Sequence, residues 1–125
     1  MIKNIDISIW GRAFTLSIEY DCYKGESVTD AQLDAISWFL ENKELIDKGK
    51  GVVENYCKEQ LAADTDNQKK DNIFSYIMPE CLFVKREEMP RVAILCKYRY
   101  DLEHGLAVVF SLDGKIIVGA QDIIL

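Results

Sequence analysis

Two stretches decide the fold, Asn4-Ile-Asp-Ile-Ser-Ile-Trp10 and, after Gly11-Arg12, Ala13-Phe-Thr-Leu-Ser-Ile-Glu-Tyr20. Apolar and polar residues alternate with period two through both. Ile5, Ile7 and Ile9 therefore share one face of a strand, and Phe14, Leu16, Ile18 and Tyr20 one face of the next. Gly11 relieves the tight turn between them, so residues 4–20 read as a β-hairpin with one apolar face that needs cover.

The cover comes next in the chain. Ser27, Thr29 and Asp30 are N-cap residue types, and Thr29 with Gln32 fits the capping box, in which hydroxyl and amide satisfy free backbone groups at a helix start. Leu33, Ile36, Phe39 and Leu40 follow at helical spacing, leaving Asp30, Asp34, Ser37 and Glu41 on the outer face. A second helical pattern spans about 43–63, with Ile46, Gly49, Val53, Tyr56, Cys57 and Leu61 on one stripe. Gly49 and Gly51 each cost a helix about 1 kcal/mol relative to Ala, which marks a bend or a close approach to another element.

Asp64-Thr-Asp-Asn-Gln-Lys-Lys-Asp71 holds no apolar residue and reads as a solvated loop. It lacks the Gly and the bidentate Glu of a calcium-binding EF-hand loop. Ile73-Phe-Ser-Tyr-Ile-Met78 reads as a short helix or turn ended by Pro79. Strands return at 81–85, at Val92, Ile94, Cys96, Tyr98 and Tyr100, at 106–110 and at 116–118, with Asp113-Gly114 as turn chemistry between the last two. The order β-β-α-α-β-β-β-β predicts one α+β domain over residues 1–125: an antiparallel sheet of about six strands with two helices on one face.

Composition sets the class. The 125 residues are 49% hydrophobic and 29% charged, the profile of an ordinary globular domain. No run is long and apolar enough for a membrane helix, and the charged start does not resemble a signal peptide, so a cytoplasmic protein without a membrane is expected. The net charge of −6 has the wrong sign for neutralising phosphates, which argues against nucleic acid. Within it, residues 26–47 carry Glu26, Asp30, Asp34, Glu41, Glu44 and Asp47 against Lys43, or −5. Residues 80–100 carry Lys85, Arg86, Arg91, Lys97 and Arg99 against Glu80, Glu87 and Glu88, or +2. Cys22, Cys57, Cys81 and Cys96 form no C-x-x-C pair and stand apart from the single histidine, so free thiols are expected and a zinc site is not.

The densest cluster of ionisable groups is Tyr100-Asp-Leu-Glu-His-Gly105, between two strands. Asp101, Glu103 and His104, with Asp122 as a fourth member, have the donor types for a divalent metal or for general acid–base work. The same residues also make an ordinary turn, with Asp101 in an Asx-type hydrogen bond, Gly105 at positive φ and His104 held by a neighbouring carboxylate. Nucleophile-elbow, phosphate-loop, dinucleotide and zinc-protease motifs are all missing, so an enzyme is not expected, and neither is a cofactor or a bound metal.

This segment resembles a family of bacterial domains of unknown function. They share an aromatic-Asp-x-Glu-His-Gly signature, an apolar strand and a closing Gly-x-x-Asp, here Tyr100, Asp101, Glu103, His104, Gly105, residues 106–110 and Gly119-Ala-Gln-Asp122. Tyr100 stands where many relatives carry Trp, which keeps the aromatic ring. The resemblance implies a small cytoplasmic α+β protein without established activity, and some similar small proteins look like immunity proteins that neutralise a toxin. An immunity-type protein would meet a basic toxin domain with an acidic surface. The candidates for that surface are Asp30, Asp34, Glu41, Glu44 and Asp47, with Trp38 as an aromatic anchor. Two alternatives stand beside it: a metal-dependent enzyme or small-ligand-binding domain centred on Asp101, Glu103 and His104, and a self-associating module using an exposed edge strand. Monomer and homodimer are both compatible with the sequence.

Overall fold

The computed structural model describes residues 3–62 and 73–125. The loop expected at 64–71, and Ala63 at the end of the second helical pattern, lie outside them. The elements run β1 (Asn4–Ile9), β2 (Arg12–Tyr20), α1 (Asp30–Glu41), α2 (Glu44–Ala62), a short 3-10 helix at Ile73–Tyr76, β3 (Ile77–Val84), β4 (Val92–Tyr98), β5 (Leu106–Phe110), β6 (Ile116–Gly119) and a 3-10 turn at Gln121–Ile123. The six strands form one sheet in chain order, so β1 and β6 are its edges.

The expected hairpin forms, with Ile5 opposite Leu16 and Ile7 opposite Phe14. Both central turn residues have positive φ, Trp10 at 49° and Gly11 at 85°. That conformation costs a tryptophan of order 1 kcal/mol. It is offset because the indole Nε1–H donates to the Ile46 carbonyl at 3.0 Å and the ring packs on Phe74 with centroids 4.9 Å apart. Arg12, next in the chain, donates to the carbonyls of Phe74 and Ile77. The turn thereby ties the hairpin to α2 and to the start of β3.

The sheet is mixed rather than wholly antiparallel. The two helices carry the chain from one end of β2 back to the other, so β3 runs parallel to β2, from Ser17 opposite Cys81 to Tyr20 opposite Val84. All other pairs are antiparallel. A second correction concerns Pro79, which does not end a helix but sits buried inside β3, next to a register shift between Pro79 and Cys81. Proline removes a ladder donor, and the parallel pairing with β2 starts only at Cys81, so the position tolerates the loss. At the other end of β4, the strand stops at Tyr98, which leaves Tyr100 in the turn.

Both helices cover one face of the sheet, α1 over β3 and β4 and α2 over β5 and β6. Phe39 and Phe110 meet across this interface at 5.0 Å. Gly49 gives the close approach: a Cβ there would stand 3.5–3.6 Å from Ile116, Phe110 and Val108, whereas Gly51 faces open space. Beneath the sheet, Cys81, Ala93, Leu95, Ala107 and Val109 form a second apolar layer with Ile124 laid against them. All four cysteines are free; Cys57 and Cys96 are buried as core residues and only Cys22 is partly accessible. Burial, reinforced by the charges of Glu19 and Glu80, pushes the Cys81 thiol up to about 11.

One buried polar side chain joins these layers. Gln32 is fully buried, and its Oε1 accepts from the Thr29 backbone N–H at 3.0 Å while its own N–H donates to Thr29 Oγ1 at 3.1 Å, completing the capping box. Its Nε2 donates to the carbonyls of Asp21 at 2.9 Å and Val84 at 3.1 Å, where β2 and β3 end side by side. Glutamate completes most capping boxes equally well, but here it would face two carbonyls without a donor. Gln32→Glu is expected to lower stability by about 2–4 kcal/mol at neutral pH, since it deletes two buried hydrogen bonds and sets a carboxylate against two carbonyl oxygens, of which only Val84 keeps another donor, the Asp21 N–H. The new carboxyl would have a folded pKa above its unfolded value of ~4.3, so the deficit should be smallest in acid and grow as pH rises. Urea midpoints of both proteins across pH check this.

Candidate functional site

The β4–β5 turn is built by Asp101. Its backbone N–H donates to the Tyr98 carbonyl, its carbonyl accepts from Gly105 at 2.8 Å, and its Oδ1 accepts from the His104 N–H at 3.2 Å. The His104 ring turns back onto the same carboxylate, Nδ1 to Oδ1, at 3.0 Å. Tyr100 packs its ring against Tyr98 and Tyr76, with centroids 5.8 and 5.0 Å away.

Gly105 closes the turn at φ 64° and is held from outside. Gln121 donates its backbone N–H to the His104 carbonyl and its Nε2 to the Cys96 carbonyl, both at 3.0 Å. A Cβ on residue 105 would fall 2.6 Å from Gln121 Nε2 and 2.9 Å from the Cys96 oxygen. The Asp-x-Glu-His-Gly and Gly-x-x-Asp segments are thus two halves of one clasp. Gln121, which the sequence motif passes over, is the residue that joins them.

The clasp brings Asp101 and His104 together but not the other candidates. Glu103 and Asp122 are exposed and form no hydrogen bond or ion pair among the described residues. The His104 pKa is raised, first by the hydrogen bond to Asp101, then by the charges of Asp101 and Glu103, with a smaller contribution from Asp122. Among the described residues no three His, Cys, Asp or Glu side chains come together as metal ligands. What remains is a solvent-facing imidazole paired with one carboxylate, able to hold a proton on the surface.

The acidic candidates lie elsewhere, on the helices. Asp30, Asp34, Ser37 and Glu41 are all exposed along one stripe of α1, while Ala35, Ile36 and Phe39 of the same helix are buried. Glu44 and Asp47 stand exposed on the first turn of α2, with Lys43, Lys48 and Lys50 exposed around them. None of the five carboxylates has an ion-pair partner among the described residues. The contrast is with the sheet end, where Lys85 pairs with Asp21, Arg86 with Glu26 and Arg91 with Glu87.

Trp38 is half-buried beside the acidic stripe, packed on the core along one side. Its other side borders a cleft of about 320 Å³ that α1 shares with the β3–β4 connection and the β5–β6 turn. Ala31, Asp34 and Ala35 line it from the helix; Glu88, Met89, Pro90 and Leu112 line it from the loops. Sequence reading had no means of finding the loop wall, because Glu88 and Met89 lie in a locally basic stretch fifty residues from the helix they face.

Fold and clasp together define a small α+β domain with a mixed six-stranded sheet, two helices on one face and a C-terminal turn locked onto the β4–β5 loop. Residues 2–125 match the family described as Domain of unknown function (DUF6985), and the chain belongs to it. No curated protein and no solved structure matches the chain. No helix among the described residues is long and apolar enough to cross a membrane.

Two outcomes follow from the clasp. Gly105→Ala combines a left-handed backbone with overlap onto Gln121 and Cys96, so thermal and urea melts should show a loss of about 2–4 kcal/mol. Asp101→Asn keeps an oxygen for the His104 N–H but removes the charge, and should return the His104 pKa toward ~6.5. Because the folded value is raised, the pairing stabilises fully below the ordinary histidine pKa and fades as pH rises through the raised one. An NMR titration of the imidazole in both proteins reads this directly.

Proposed function

We propose that this is a bacterial, cytoplasmic protein-binding domain of the immunity type, which neutralises a basic toxin domain by docking the acidic face of α1 onto it. It acts by occupancy and not by catalysis, and needs no cofactor. The observation that carries the reading is the unneutralised stripe of Asp30, Asp34 and Glu41. Three carboxylates of one helix face stand in solvent without an ion-pair partner among the described residues, whereas Asp21, Glu26, Glu80 and Glu87 are each matched with a cation. Self-repelling charge of this kind is unfavourable for the isolated domain and becomes favourable against a basic surface. A nuclease-type toxin has such a surface where it grips nucleic acid, so an acidic helix both speeds the encounter and covers the site. Trp38 beside the stripe supplies the apolar contact that charge alone lacks. Glu44 and Asp47 extend the surface, with weaker weight because lysines surround them.

The experiment is capture from lysate of the source organism at low and high salt, followed by binding measurements with the captured partner. A basic partner should bind at low salt and leave at high salt. Asp34→Lys with Glu41→Lys should weaken its binding at least tenfold and flatten the salt dependence. Undiminished binding by the double variant would remove this surface as the interface.

A further inference from the structure

We infer that the cleft beside Trp38 receives an arginine side chain of the partner, an inference that rests on the protein-binding reading and names its anchor. Three features of the cleft select this occupant. Its wall is apolar and partly aromatic, with the Trp38 indole, Met89, Pro90 and Leu112, which suits the aliphatic stem and flat guanidinium of arginine. Its two charged lining residues are both carboxylates, Asp34 on α1 and Glu88 on the β3–β4 connection, so a cation entering between two elements meets negative charge from each. Neither has an ion-pair partner among the described residues, and the cations flanking the β3–β4 connection are committed elsewhere. Arg91 makes a two-point contact with Glu87, Arg86 pairs with Glu26 and also donates to the Ser27 carbonyl, and Lys85 pairs with Asp21.

The size of the cleft agrees. At about 320 Å³ it lies at the lower end of the range of about 300–1,000 Å³ for ligand pockets, enough for one long side chain and its neighbours. A guanidinium can stack on the indole and donate to two carboxylates at once through its planar fork, whereas an ammonium offers a point charge without a face. The cleft opens beside the Asp30–Asp34–Glu41 stripe, so an arginine bound there places neighbouring basic residues of the partner over the rest of the helix.

The test uses the two indole N–H resonances of the isotopically labelled intact protein. Trp10 donates its indole N–H to the Ile46 carbonyl and serves as an internal control for the fold. The probe is a blocked glycine peptide with one central arginine, compared with the same peptide carrying lysine, citrulline or glutamate. The expected result is a saturable shift of the Trp38 resonance with arginine at millimolar concentration, at least fivefold weaker binding of lysine and no saturation with citrulline or glutamate, while Trp10 stays fixed. Asp34→Asn with Glu88→Gln should weaken the arginine titration at least tenfold with Trp10 unmoved. Equal binding of lysine or citrulline, or an unchanged titration in the double variant, overturns the inference. The outcome is separable from the broader reading: a captured basic partner whose affinity is untouched by Asp34→Asn/Glu88→Gln but lost with Asp34→Lys/Glu41→Lys leaves the acidic face as the interface and removes the cleft as its anchor.

Discussion

Hydrogen bonds to Thr29, Asp21 and Val84 converge on the Gln32 side chain, and the arrangement of the layers depends on them. Its amide nitrogen reaches the carbonyls of Asp21 and Val84 at the ends of two parallel strands, and its oxygen closes the start of α1. A parallel pair cannot be joined by a short turn, so the position of the crossover has to be fixed by something other than a hairpin. Here one fully buried amide fixes it, and it does so without a formal charge that would need a partner in the core. The direction in which α1 leaves the sheet, and hence the position of its acidic face and of Trp38, follows from this contact.

Much of this was legible in the residues. Alternation in 4–10 and 13–20 gave the hairpin and its faces, Thr29 and Gln32 gave the helix start, and Asp113-Gly114 gave the last turn, where Gly114 has φ 87° and Lys115 donates to the Asp113 carboxylate. These signals are local: each depends on neighbours within about four positions. What escaped was long-range. Pro79 reads as a breaker from its own chemistry, and only the starting point of the β2–β3 pairing shows why a strand can contain it. Gln32 was visible as a cap but not as the bridge to Val84, fifty-two residues away.

The same division applies to the candidate sites. The Asp101–His104–Gly105 contacts span four residues and could be read from turn chemistry, while the role of Gln121 needed the C-terminal turn to be folded back onto Cys96. The acidic outer stripe of α1 followed from helical period alone. The cleft beside it did not, since two of its walls come from turns brought in by the sheet.

The parallel seam has a consequence for how the molecule assembles. Residues 4–20 form a hairpin and residues 77–119 a four-stranded meander, both from contacts between consecutive strands. The ladder that joins the two halves has four residue pairs, whose members lie sixty-four positions apart in the chain. Closing so long a loop carries an entropic cost before any pairing compensates it, so the halves are expected to form early and the seam to close last. The cleft beside Trp38 and the acidic stripe both sit on α1, whose Gln32 joins the two strand ends at that seam. This face of α1 is therefore completed in the same step that completes the fold, and any contact that fixes α1 in place also fixes the two halves of the sheet relative to one another.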